Sequence, residues 1–410
     1  MQGATISREA TTASALSRLK RWYVIASVGL FNALLLLVVV NLLLYGIGLL
    51  RHPAQAPVQE DHFTAGNLQQ AYPGWSEEDV KTLLRETPRA DHEFEYEPLT
   101  GFRERPYRGK YVNIDPAGFR LSKNQAPWPP RPGVTNIFVF GGSTAFGYYL
   151  PDDQTIPSYL QEFLAANGDP KVAVYNFARP AYFSSQELVL FQNLLRAGYV
   201  PQVAIFIDGL NDFILADGVP KFTDQLHAFM DGQLNPNPLN NLPMIRAAHW
   251  LRDRWTPSAS ASQPQSSKEP VYNDPVLVQS AVDRWLTNKK MIELTAQGYG
   301  VRTLFVWQPV PVYNYDLRYH FFLHADKGFG AYVRPRYGYA LMQVSRAQGR
   351  LGPDFLWLAD MQQDKRENLY VDSVHYTAAF SKEIAAHIGE QLSRQPPDNG
   401  NRPNSDLARR

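Results

Sequence analysis

Apolar residues are unevenly spread along this chain: one long block comes first, then a series of short ones. The long block runs from Trp22 to Leu50, contains no charged residue and is dominated by Leu, Val, Ile and Ala. As a helix it would extend about 43 Å, more than the roughly 30 Å hydrocarbon core of a bilayer. With no polar face, it predicts a membrane span and not an amphipathic helix packed on a soluble core. Ala54-Gln55-Ala56 imitates a signal-peptide cleavage site, but Pro57 follows it. The apolar stretch also far exceeds the roughly 7–15 residues of a signal peptide. An uncleaved anchor over residues 22–50 is therefore expected. Arg8, Arg18, Lys20 and Arg21 precede the block, whereas Arg51 is the only Lys or Arg in the twenty residues after it. The positive-inside rule then leaves residues 1–21 in the cytoplasm and the rest of the chain outside it, in the periplasm of a Gram-negative cell. Asn32 and Asn41 lie within the span, either bonding a neighbouring helix or simply tolerated.

The short blocks have a different rhythm. Asn136–Phe140, Val172–Tyr175, Val203–Ile207, Val301–Val306 and Phe355–Leu358 are brief apolar runs bounded by turn formers, as in buried strands. Between them, residues 154–166, 184–197, 277–297 and 377–392 carry apolar positions at helical spacing, with Gly298 closing the third. Strands alternating with helices predict an α/β fold, a three-layer α/β/α sandwich around a mostly parallel five-stranded sheet. The domain is expected over 134–393. Residues 51–133 read as a stalk and an irregular wrapping segment, with a short helix begun by Ser76-Glu77-Glu78. Residues 213–275 are too many for a simple connection and read as an insertion. Within it, 256–270 (TPSASASQPQSSKEP) is low in complexity and expected to be disordered, as is the polar tail 394–410.

Composition narrows the chemistry. Lys+Arg 40 against Asp+Glu 39 gives no electrostatic reason to expect nucleic acid as a partner. The absence of cysteine excludes disulfides, thiolate metal sites and a cysteine nucleophile. No Gly-Lys-Ser/Thr phosphate loop or His-Glu-x-x-His zinc motif occurs, so neither cofactor nor metal is implied.

Four stretches remain, in order: Gly141-Gly142-Ser143-Thr144, Asn176 to Ala181, Gly209-Leu210-Asn211-Asp212, and Asp372-Ser373-Val374-His375. The first three each follow a predicted strand, which places them at the carboxyl edge where open α/β sheets bind ligands. Ser143 follows two glycines that permit a sharp turn. A serine hydroxyl needs a base, and histidine, with an ordinary pKa near 6.5, is the natural one. Asp372 is three residues from His375, close enough to fix the ring's tautomer. Asn211 can donate its amide to a developing oxyanion. Each motif has a plainer reading: a helix-capping serine, an inert histidine, an Asx-turn asparagine. Asp212 is expected to bond within its own loop.

The ordered set resembles the SGNH hydrolase superfamily, also called GDSL esterases, over about residues 134–393. Gly141 to Thr144 is similar to its first block, with Gly142 where the family often has Asp. Gly209 to Asp212 is similar to the third block and Asp372 to His375 to the fifth. The resemblance implies a flavodoxin-like sheet, with Ser143 as nucleophile, His375 as its base and Asp372 as the orienting acid. It also implies an oxyanion hole from the N–H groups of Ser143 and Ala181 and the amide of Asn211. Ala181 stands where the second-block glycine belongs. Asn113 and Gly118-Phe119-Arg120 resemble a stretch found upstream of the domain in membrane-anchored bacterial members, which often accompany cell-surface polysaccharide synthesis or modification.

The resemblance implies an esterase or acyltransferase working on an O-acylated, for example acetylated, polysaccharide outside the cytoplasm, with polysaccharide-synthesis proteins as possible partners. Alternatives are a non-catalytic polysaccharide-binding subunit and a membrane-proximal lipid esterase. Trp75, Trp128, Trp250, Trp307, Tyr313 and Tyr315 offer stacking faces for sugars, or packing for a core.

Overall fold

The structure, a computed structural model, describes residues 3–50, 70–87, 94–168, 171–224, 274–323 and 332–394, with short pieces between 226 and 251. Residues 51–69 of the expected stalk, the low-complexity stretch 256–270, Trp250 and positions 395–410 lie outside the described residues. The chain divides into two units, Met1–Pro57 with Gln225–Lys268, and Val58–Asp224 with Glu269–Arg410.

In the first unit, helix α1 (Gly3–Leu50) contains a stretch, Ser17–Gly46, long and apolar enough to cross a membrane. Within it, most Leu, Val and Phe side chains from Leu19 to Leu43 are exposed, whereas Val40 and Leu44 are half-buried. Asn41 donates its amide back to the Leu37 carbonyl (2.8 Å), and its Oδ1 accepts from the Met244 N–H (3.0 Å).

The second unit opens with α2 (Glu77–Glu86), capped by Ser76 as the sequence predicts. Two hairpins follow: β1 (Phe94–Glu97) with β2 (Gly101–Glu104), and β3 (Tyr107–Arg108) with β4 (Asn113–Ile114). The wrapping segment is thus more regular than expected. Its strands are only two to four residues long, too short to show an alternating pattern.

Five strands make the central sheet: β5 (Thr135–Gly141), β6 (Val172–Asn176), β7 (Val203–Asp208), β8 (Arg302–Trp307) and β9 (Phe355–Trp357). Their order is β6-β5-β7-β8-β9, and every pair is parallel. The crossovers carry α3 (Ser143–Phe146) and α4 (Ile156–Ala166), then α5 (Ser184–Arg196), then α6 (Leu210–Ile214) and α7 (Pro275–Tyr299), then α8 (Val333–Ala347); α9 (Ala378–Arg394) follows β9.

Strand alternation sorts the core chemically. Phe138, Phe140, Tyr175, Phe206, Phe305 and Trp307 face α5, α7 and α8 in one cluster. Ile137, Val139, Val174, Ile205, Ile207 and Val306 face α4 and α9 in the other. An α/β/α sandwich follows directly, because a sheet apolar on both faces must be covered on both. From β5 the chain passes to β6 on one side and later to β7 on the other. That reversal opens a crevice at the carboxyl ends of β5 and β7, the usual ligand position in such sheets.

Candidate active site

The first and third motifs emerge on either side of this crevice. Strand β5 ends at Gly141 with φ +152°, and a Cβ there would lie 2.7 Å from the Ala145 Cβ and 2.8 Å from the Ile207 carbonyl oxygen. At Gly142 a Cβ would collide with the Asn211 amide. Both glycines are therefore steric requirements. Ser143 then begins α3, which stops after one turn at Gly147 in the left-handed region. As the first helical residue, Ser143 has an N–H with no intrahelical acceptor.

His375 lies 232 positions downstream, yet its Nε2 is 2.7 Å from the Ser143 Oγ. Its Nδ1 is 2.6 Å from the Asp372 Oδ2. The other Asp372 oxygen accepts the N–H groups of Val374 (2.8 Å) and His375 (2.7 Å). Aspartate and histidine thus form one tight turn, which fixes the carboxylate edge-on to the ring. Burial pushes the Asp372 carboxyl up, but the adjacent His375 ring and these hydrogen bonds hold it below the usual carboxylate value. His375 is 9% exposed and Ser143 half-buried, so a small group can reach the hydroxyl. Tyr148 stacks on the imidazole, with centroids 4.9 Å apart and planes at 30°, and Tyr149 meets it edge-on at 5.7 Å.

Asn211, on α6, donates one amide hydrogen to the Tyr182 carbonyl (2.6 Å). The second hydrogen of an amide remains for another acceptor. Ala181 has φ +61°, the left-handed conformation that favours glycine. The structure therefore brings the hydroxyl, imidazole and carboxylate of the sequence-predicted trio into one relay. Asn211 reaches the same turn through Gly142.

Beneath Asn211 lies a buried set of acids. Asp212 accepts from the Ser184 hydroxyl (2.6 Å), so it also reaches across to α5. Asp208 accepts from the Trp285 indole N–H (2.9 Å), and Glu187 is buried beside them. Burial and their mutual repulsion hold Glu187 well above its ordinary value and push Asp208 up to about 8. Burial also takes Asp212 up to about 6. The sequence offers one signal for this set: Glu187 falls among Leu188, Leu190 and Phe191 on a helix with an apolar face. Among the described residues, no group of three or more His, Asp or Glu is arranged to hold a metal ion.

Of the aromatic side chains offered as stacking faces, Trp307 is fully buried against Trp285 and Tyr339. Trp128 packs on Tyr175 and Tyr199, and Trp75 on Tyr111, so these serve the core. Tyr313 and Tyr315 line a surface cavity of about 360 Å³ together with Asn314 and Arg336.

No family profile matches the chain, and neither does any curated protein sequence. Among solved structures, it is similar to the psychrotrophic esterase EstA from Pseudoalteromonas, at 14% identity over 63% of this chain and 97% of that one, with a TM-score of 0.33. A GDSL-like lipase from Bacteroides thetaiotaomicron is similar at 10% identity, over 67% of this chain and 95% of that one, with a TM-score of 0.35. An acetyl xylan esterase matches at 10%, over 63% and 99%, with a TM-score of 0.35. Overlaps this shallow carry no chemistry from one protein to another. The hydroxyl, imidazole and carboxylate of this chain carry it by their own geometry.

Proposed function

We propose that the protein is an SGNH-type serine esterase or O-acyltransferase. The observation that carries this reading is the continuous relay from Ser143 through His375 to Asp372, at the carboxyl edge of a parallel sheet. The Ser143 oxygen attacks the acyl carbonyl as its proton passes to His375 Nε2. Asp372 holds the Nδ1 proton and stabilises the imidazolium. The tetrahedral oxyanion is met by the N–H groups of Ser143 and Ala181 and by the free hydrogen of the Asn211 amide. Collapse breaks the bond to the alcohol, which leaves with the proton from His375, and an acyl-serine remains. Water then makes the reaction a hydrolysis; a sugar hydroxyl makes it a transfer. None of these steps requires a metal or organic cofactor.

The apolar helix and its basic N-terminal flank support an anchor in the bacterial inner membrane, with the domain in the periplasm. Such a domain meets the cell envelope, and the substrate we assign is an O-acylated, chiefly acetylated, polysaccharide, with polysaccharide-synthesis proteins as neighbours. Release of acetate from O-acetylated polysaccharide by the detergent-solubilised full chain, compared with release of long acyl chains from lipid esters, tests this assignment. Acetate release should dominate; a strong preference for long chains would remove the polysaccharide from the proposal.

A further inference from the structure

The segment Asn113 to Arg120 has no part in the relay just described, yet it holds one of the most deeply buried charges in the protein. The Arg120 side chain is fully buried. Its Nη1 donates to the carbonyls of Phe146 (3.1 Å) and Gly147 (2.7 Å), and its Nη2 to that of Leu150 (2.5 Å). Its Nε donates to Asp152 (2.9 Å), whose other oxygen accepts the Asn113 amide (2.8 Å). The Arg120 N–H bonds the Asn176 carbonyl (2.9 Å), and the Asn176 amide donates to Phe146 as well (3.2 Å).

These acceptors belong to one short stretch. Phe146 and Gly147 close the single turn that Ser143 opens, and Leu150 ends the segment bearing Tyr148 and Tyr149, the two rings against His375. Tyr149 holds φ +62°, an unfavourable value for a residue with a side chain. From the other side the buried Tyr72 hydroxyl donates to the Tyr149 carbonyl (3.0 Å). One guanidinium thus binds three carbonyls of a single turn, sharing that of Phe146 with the Asn176 amide and that of Gly147 with the Leu150 N–H. In doing so it fixes the distance between the start of α3, which carries the hydroxyl, and the tyrosine wall that sets the plane of the imidazole.

We propose that Arg120 is a positioning residue for the general base. Through the Phe146–Leu150 turn it presses Tyr148 onto His375 and so keeps Nε2 aimed at the Ser143 oxygen. A five-donor planar fork suits three divergent carbonyls and a carboxylate at once; a lysine ammonium has three donors on a point and cannot span them. The inference rests on the Ser143–His375 reading and adds to it the element that holds the ring.

The test uses 4-nitrophenyl acetate turnover and the rate of inactivation by a fluorophosphonate probe, both on the full chain in detergent. Tyr148→Ala leaves the buried arginine untouched and should lower kcat and the inactivation rate together by tenfold or more, with KM changed less than twofold. Misplacement of a reacting group by about 1 Å can cost a hundredfold. Tyr148→Phe, which keeps the ring, should recover most of that loss. Arg120→Lys should show the same split between kcat and KM. If that variant fails to fold, the Tyr148 pair decides alone. A Tyr148→Ala protein with wild-type kcat, or a loss confined to KM, overturns the proposal while leaving the relay standing. A wild-type chain inert toward both ester and probe overturns the relay, and this inference with it.

Discussion

At the scale of single residues the site is built by exclusion as much as by attraction. Gly142 is small because the Asn211 amide occupies the space a side chain would need. Asn211 in turn is pinned by the Tyr182 carbonyl, which leaves one hydrogen for the oxyanion of the proposed reaction. Replacing it with alanine should slow acetyl ester turnover by roughly 10²–10³, the usual cost of one oxyanion donor. A loss under tenfold would make Asn211 a turn former only. The acids below it set a different property. Asp208 is raised from its ordinary 3.8 to about 8, so in the folded protein it stays protonated where the unfolded chain ionises. Its contribution to stability is present below about pH 4 and is lost as pH rises toward 8, because the unfolded state releases the proton first. Asp208→Asn cannot ionise. Its melting temperature relative to wild type should climb between pH 4 and 8 in thermal unfolding at matched ionic strength. A difference that is flat across that range, or that shrinks, would show that Asp208 is ionised in the fold.

At the scale of elements, legibility followed how local the signal was. Strands β5 to β9 announce themselves as short apolar runs and lie within a residue or two of where the sequence puts them. The Asp372–His375 turn was legible for the same reason, being closed by contacts three residues apart. Helix α8 was not expected. Pro335 and Gly338 interrupt its pattern, but the proline sits in the first turn, where no backbone bond is lost. Gly338 is there because a side chain would strike the Phe213 ring. The grip of Arg120 on the α3 turn spans some thirty residues and has no periodic signature at all. Helix α1 is the element whose environment the sequence states most strongly. On alkaline carbonate washing of cell membranes the chain should stay in the pellet, and protease added to spheroplasts should digest the domain. Release by carbonate, or a domain that survives the protease, would contradict the anchor or its orientation.

At the scale of the whole molecule, a doubly covered parallel sheet gathers motifs spread across more than two hundred residues at one edge. The order of strands does this: β5 and β7 are neighbours, their carboxyl ends deliver Ser143 and Asn211, and the turn before α9 delivers His375. The aromatic face of the sheet gives the scaffold its bulk and the aliphatic face its fit against α4 and α9. Neither needs to move for a hydroxyl and an imidazole already 2.7 Å apart to exchange a proton. The most direct measurement is mass spectrometry of the full chain after exposure to a fluorophosphonate. The wild type should gain one phosphonyl group on the peptide bearing Ser143, and Ser143→Ala, folded to the same melting temperature, should gain none. A wild type that stays unmodified while a control esterase labels, or a Ser143→Ala chain that labels equally, would contradict a nucleophilic serine in this fold.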